Sequence, residues 1–252
     1  MKTQFAVLLF PALFAVSAAH GAQEKVLIIG DSLTCGSFGD AMFEDLRSKG
    51  KEVHLFCTES STAEHWLKGT NPKGKSCQTR AGSDSAKKKC QPGGNVPKLE
   101  TLMAGLNPDQ VVLALGTNYI GGSKKNEDAS VALSKLATQN NKDCLWVGPP
   151  RSTKKVLEDG LDAFYNFLDE RIQHRCSIVD SRDATAPGTA GAPTVDGIHR
   201  TKESGKKWYE AIATSITTAR GSATAASPSG TGSPPPERGG SKTLVNQKPV
   251  QK

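Results

Sequence analysis

Five short apolar runs, each followed by a polar turn, constrain this chain more than any other feature. They are KVLII at 25–29, EVHLF at 52–56, QVVLAL at 110–115, CLWV at 144–147 and CSIV at 176–179. Each is rich in branched residues and too short for a typical helix, which is the pattern of a buried strand. The stretches 41–48, 97–106, 129–138, 156–171 and 203–216 between them carry apolar residues at helical spacing, and several have glycine or proline near an end. Strand and helix alternating in this way predict a parallel sheet with helices on both faces, in one domain spanning 22–220.

In such sheets a ligand site lies beyond the carboxyl ends of the strands. The turns that follow the five runs are Gly30-Asp31-Ser32, Glu59-Ser60-Ser61, Gly116-Thr117-Asn118, Gly148-Pro149-Pro150-Arg151 and Asp196-Gly197-Ile198-His199. All five are polar and all are expected at one edge, which predicts a single site there.

These blocks resemble those of the SGNH, or GDSL, esterases and lipases. Gly30-Asp31-Ser32-Leu33 is similar to the nucleophile block of that family, Gly116-Thr117-Asn118 to the block carrying the asparagine, and Asp196-Gly197-Ile198-His199 to the block carrying acid and base. The match in order and placement covers roughly 25–215. The resemblance implies a three-layer α/β/α sandwich, flavodoxin-like, around a five-stranded parallel sheet. Ser32 does not stand in a G-x-S-x-G elbow, because Thr34 occupies the place of the last glycine, so the larger α/β-hydrolase class does not fit.

The residue types suit acyl transfer. A serine hydroxyl attacks an ester only when a base accepts its proton, and histidine is poised for that near neutral pH. Ser32 is the expected nucleophile and His199 its base, with Asp196 orienting the imidazole from three residues away. The resemblance implies an oxyanion hole made of the Ser32 backbone amide, a backbone amide after the second strand and the side-chain amide of Asn118. The second of these departs from the family pattern. Cys57-Thr58-Glu59-Ser60-Ser61-Thr62 has no glycine, and Glu59 or Ser60 stands at the expected place, with Ser60 taken as the donor. His54, His65 and His174 read as structural, and His20 falls in the leader.

The first residues, MKTQFAVLLFPALFAVSAAHGA, have the layout of a cleaved signal peptide over 1–21, with cleavage after Ala18 or Gly21. A secreted or periplasmic protein follows, with no transmembrane segment. Six cysteines at 35, 57, 77, 90, 144 and 176 suit disulfides in an oxidising compartment. No CxxC pair is present, which argues against a zinc cluster. Topology suggests the pairs Cys144–Cys176, Cys77–Cys90 and Cys35–Cys57.

The net charge of +7 is concentrated in 68–90, where Lys68, Lys73, Lys75, Arg80, Lys87, Lys88 and Lys89 face one acid, Asp84. This segment reads as an exposed basic loop that solubilises the chain or attracts an anionic cell-wall polymer. It has no aromatic residue to stack on bases, so nucleic acid is not an expected partner. Residues 221–252, rich in Ser, Gly and Pro, read as a disordered basic tail. No metal or cofactor is called for by a serine triad.

The expected protein is therefore an exported serine esterase removing small acyl groups, acetyl foremost, from a carbohydrate, with peptidoglycan the favoured polymer and Trp66 a candidate platform for a sugar ring, although a tryptophan there is more often core. A lipase fits less well, since no long apolar lid-like segment is present. The competing reading is a glycan-binding protein that keeps the fold without turnover.

Overall fold

The computed structural model describes residues 23–82, 84–90 and 94–218. The leader at 1–21 and the tail at 221–252 lie outside the described residues. In chain order the elements are β1 (Lys25–Gly30), α1 (Ser32–Cys35), α2 (Ser37–Ser48), β2 (Glu52–Cys57), α3 (Ala63–Lys68), β3 (Gln78–Ala81), β4 (Asp84–Lys89), α4 (Leu99–Leu106), β5 (Gln110–Ala114), α5 (Lys124–Ala137), β6 (Asp143–Val147), α6 (Lys155–Arg171), β7 (Ser177–Val179) and α7 (Lys202–Thr218). No described helix is long and apolar enough to cross a membrane.

The three layers follow from the composition of the central strand. Side chains alternate across a strand with period two, so a run that is apolar at every position must be covered on both faces. In β1, Val26 and Ile28 join one apolar cluster while Leu27 and Ile29 join the other. Helices α2 and α7 cover the first face with Phe38, Met42, Phe43, Trp208 and Ile212. The second face is covered from α3 to α6, with Trp66, Leu99, Leu133, Leu161 and Leu168. Each large side chain removed from water in this way contributes about 1.5–3 kcal/mol. The rings of Phe38 and Trp208 stack with centroids 3.7 Å apart, fixing α7 against the helix that follows the first turn.

The sheet has seven strands in the order β4-β3-β2-β1-β5-β6-β7. Its five parallel members, β2, β1, β5, β6 and β7, are the five apolar runs. The other two correct the expectation of five strands and of an exposed loop at 68–90: β3 and β4 form an antiparallel hairpin hydrogen-bonded to β2. Their sequences, QTRA and DSAKKK, lack apolar alternation because charged groups anchor the hairpin. Arg80 is only 5% exposed, pairs with Asp40 and Glu44 of α2, and lies 4.2 Å over the Phe43 ring. Five of the seven basic residues in this segment have acidic partners within the fold: Lys68, Lys75, Arg80, Lys87 and Lys88. The lysines of β4 line the outer edge of the sheet, where charge discourages pairing with another chain.

The cysteines pair as Cys35–Cys57, Cys77–Cys90 and Cys144–Cys176, with Cα separations of 5.4, 5.4 and 4.4 Å. The first bond ties α1 to the last residue of β2, the second closes the base of the hairpin, and the third joins β6 to the residue entering β7.

Candidate active site

Ser32 opens α1 directly beyond the carboxyl end of β1. Asp31 caps this short helix, its Oδ1 accepting from Leu33 N at 3.0 Å. Gly30 is required by close packing, since a Cβ there would fall on the Thr34 side chain. The sharp turn therefore presents the Ser32 side chain outward while Asp31 points inward and is buried.

The segment bearing Asp196 and His199 lies between β7 and α7. Asp196 Oδ1 accepts from the backbone amides of Ile198 and His199 at 2.9 and 2.8 Å, and its Oδ2 lies 2.6 Å from His199 Nδ1. Gly197 between them has φ +90°, and a Cβ at that position would meet Thr153 Oγ1 at 2.7 Å. Ser152 Oγ and Thr153 N both donate to the Gly197 carbonyl, at 2.6 and 3.0 Å. Arg200 donates to the carbonyls of Ala192 and Arg151. The turn after β6 thus buttresses the histidine loop and does not line the cavity with Ser32.

His199 Nε2 lies 3.0 Å from Ser32 Oγ. Because the Asp196 carboxylate only accepts, Nδ1 must carry the ring proton and Nε2 is left to accept from the hydroxyl. The hydrogen bond from His199, first among the causes, holds the Asp196 carboxyl well below the usual carboxylate range. Hydroxyl, imidazole and carboxylate form one continuous chain of hydrogen bonds.

A cavity of about 590 Å³ opens beside these groups, lined by Ser32, Glu59, Ser60, Lys75, Thr117, Asn118, Leu157, Ile198 and His199. The structure thus brings four of the five polar turns to one cavity. Asn118 Nδ2 donates to the Ser61 carbonyl at 3.0 Å and reaches Asp31 Oδ2 at 3.3 Å. Gly116, two residues earlier, has φ +147° and would strike the Phe164 ring with any Cβ. Ser60 takes φ +59°, a left-handed conformation of the kind glycine adopts freely.

No protein-family model matches the chain. Protein BcsX of Komagataeibacter xylinus is 27% identical over 207 residues, covering 74% of each chain. Among solved structures, a catalytic mutant of Axe2, an acetylxylan esterase from Geobacillus stearothermophilus, superposes with TM-score 0.56 at 13% identity over 78% of this chain and 95% of its own. TesA superposes with TM-score 0.53 at 14% identity over 78% and 99%. The chain has the SGNH hydrolase fold.

Two residues lining this SGNH-fold site, Lys75 and Leu157, lie outside the polar turns that the sequence marks. Asp31 stands in the first of those turns, but its carboxyl faces Asn118, and burial pushes its pKa up to about 7. A Gly-Asp-Ser stretch at a strand-to-helix junction carries a capping signal that points to Asp31. Glu59 and Ile198, from turns the sequence marks, also line the cavity. Conversely, Trp66 is fully buried, with Nε1 donating to Ser61 Oγ at 3.3 Å, so it offers no platform to a sugar. Its role is to hold the turn after β2, since Ser61 Oγ in turn donates to the Gly30 carbonyl at 3.2 Å. His54 bonds Glu52 within β2, His65 caps α3 through Thr62, and His174 is exposed beyond α6.

Proposed function

We propose that the chain is a serine esterase that removes small acyl groups, acetyl foremost, from a carbohydrate. The observation that carries this reading is the run of hydrogen bonds from Ser32 Oγ through His199 to Asp196 at the mouth of a 590 Å³ cavity. Ser32 attacks the ester carbonyl as its proton passes to His199 Nε2, and Asp196 stabilises the imidazolium. His199 then protonates the departing alcohol, leaving an acyl group on Ser32. Water activated by the same imidazole releases the acid.

The developing oxyanion is held by the backbone amides of Ser32 and Ser60 and by Asn118. Of the two Asn118 contacts, the 3.3 Å approach to Asp31 is the longer, and it is the one for which the oxyanion competes. The Ser60 conformation supports its part, because its left-handed backbone aims the amide as a glycine at the head of the turn would.

The carbohydrate part of the reading draws on one structural neighbour, Axe2, an acetylxylan and acetyl-xylooligosaccharide esterase. Export to the cell surface or periplasm is supported by three disulfides, which persist in oxidising compartments. A cell-wall glycan such as peptidoglycan is the favoured polymer on that basis. The test is acetate release from acetylated xylo-oligosaccharides and from O-acetylated peptidoglycan by the protein and by Ser32→Ala. Release only by the unaltered protein supports the reading. Equal release by both overturns it, and glycan binding without release by either supports a binding protein.

A further inference from the structure

We propose that Glu59 and Lys75 form a hydroxyl-binding subsite for the alcohol part of the ester, so that the leaving group is a polyhydroxylated sugar unit; this rests on the esterase reading of the same cavity. Lys75 Nζ donates to Glu59 Oε2 at 2.6 Å, and both side chains line the cavity that holds Ser32 and His199. Each remains partly exposed, at 40% and 51% of its side chain, so the pair faces the cavity with bonding capacity to spare. One of the three ammonium donors is used by Glu59, and the carboxylate retains free lone pairs. A cation and an anion side by side present donors and acceptors together without net charge, which suits neutral neighbouring hydroxyls that both give and receive hydrogen bonds.

The cavity is divided. Ser60, Thr117, Asn118 and the Glu59–Lys75 pair supply polar groups, while Leu157 and Ile198 supply apolar ones. No aromatic side chain lines it among the described residues, so stacking on a sugar face is not available and polar contacts must do the recognition. An aliphatic or aromatic alcohol would desolvate the ion pair without replacing its bonds to water, and such mismatches are strongly disfavoured. The apolar wall is left for the acyl group.

Lys75 is held in place by the hairpin insertion. Its backbone amide donates to the Pro72 carbonyl at 3.0 Å, the neighbouring Ser76 carbonyl accepts from Thr58 Oγ1 at 3.2 Å, and Cys77 is bonded to Cys90. The insertion therefore does more than extend the sheet: it fixes a cation against the turn that carries Ser60.

The experiment compares Lys75→Met and Glu59→Gln in two measurements, with circular dichroism confirming that both variants fold. In the first, xylotriose and an N-acetylglucosamine trimer are titrated into Ser32→Ala protein with and without each added substitution. At least one sugar is expected to bind, and each substitution is expected to weaken that binding by about tenfold or more, as when polar site groups lose their partners. Unchanged binding, or no binding of either sugar by the Ser32→Ala parent, overturns the subsite. In the second, kcat/KM for acetylated xylo-oligosaccharide is expected to fall at least about tenfold more than kcat/KM for p-nitrophenyl acetate, through KM. An equal fall on both esters marks the pair as a structural brace and overturns the subsite while leaving the esterase reading intact. Sugar binding that depends on Lys75, together with hydrolysis of neither ester by the unaltered protein with Ser32 in place, upholds the subsite and ends the esterase reading.

Discussion

Asn118 Nδ2 lies 3.3 Å from Asp31 Oδ2, linking the turn after β5 to the turn after β1 across 87 positions of sequence. The buried Asp31 carboxyl thus touches a group proposed to stabilise the transition state, and it also accepts from Leu33 N within the nucleophile turn. Both ends of the proposed oxyanion hole depend on one side chain.

Burial raises the Asp31 pKa from 3.8 to about 7. A group whose pKa is raised on folding contributes stability that is fully present below the unfolded value and is lost as pH rises through the folded one. A shift of this size corresponds to a contribution on the order of 4 kcal/mol. The unfolding free energy of the unaltered protein should therefore fall, relative to Asp31→Asn, between about pH 4 and pH 7. Urea unfolding of both proteins over this range checks it, and parallel curves would refute it.

Asn118→Ala removes one donor from the proposed oxyanion hole. Loss of a single such donor lowers kcat by about 100- to 1,000-fold. Steady-state kinetics on p-nitrophenyl acetate should show that fall in kcat with KM little changed; a change confined to KM would move Asn118 from catalysis to binding.

The centre of the parallel sheet was legible because β1, β5 and β6 are buried on both faces, so they read as apolar runs such as Val26-Leu27-Ile28-Ile29. The hairpin was not, because it is anchored through Arg80, a residue that looks like surface until Asp40, Glu44 and Phe43 are known to surround it. The same limit applies at the site. Ser32, Asn118, Asp196 and His199 stood out as chemistry after strands, whereas Lys75 belongs to the cavity through the hairpin's return to β2. For Trp66 the sequence leaves sugar stacking and core both open, and the chain uses it as core.

Ser60 is a non-glycine residue at φ +59°. Single left-handed residues cost about 1–2 kcal/mol, and a β-branched side chain raises that cost. Ser60→Gly should preserve activity and leave the melting temperature unchanged or higher, while Ser60→Val should lower kcat by disturbing the turn. Thermal melts beside kinetics on the same preparations decide the matter, and a fully active Ser60→Val protein would contradict it.

The Cys35–Cys57 bond joins the helix that starts with Ser32 to the end of β2. A crosslink of this loop length contributes about 3 kcal/mol. Replacing both cysteines with serine should lower stability by that order and reduce kcat, because the turn carrying the nucleophile loses its tie to the neighbouring strand. Chemical denaturation and kinetics of the double variant test both effects.

The proposed mechanism makes Ser32 a nucleophile activated by His199. Incubation with a fluorophosphonate followed by peptide mass spectrometry measures this directly. A single covalent adduct on the peptide carrying Ser32, formed by the unaltered protein and lost in His199→Ala, is the predicted result. An unmodified Ser32, or labelling that proceeds equally without His199, would contradict it.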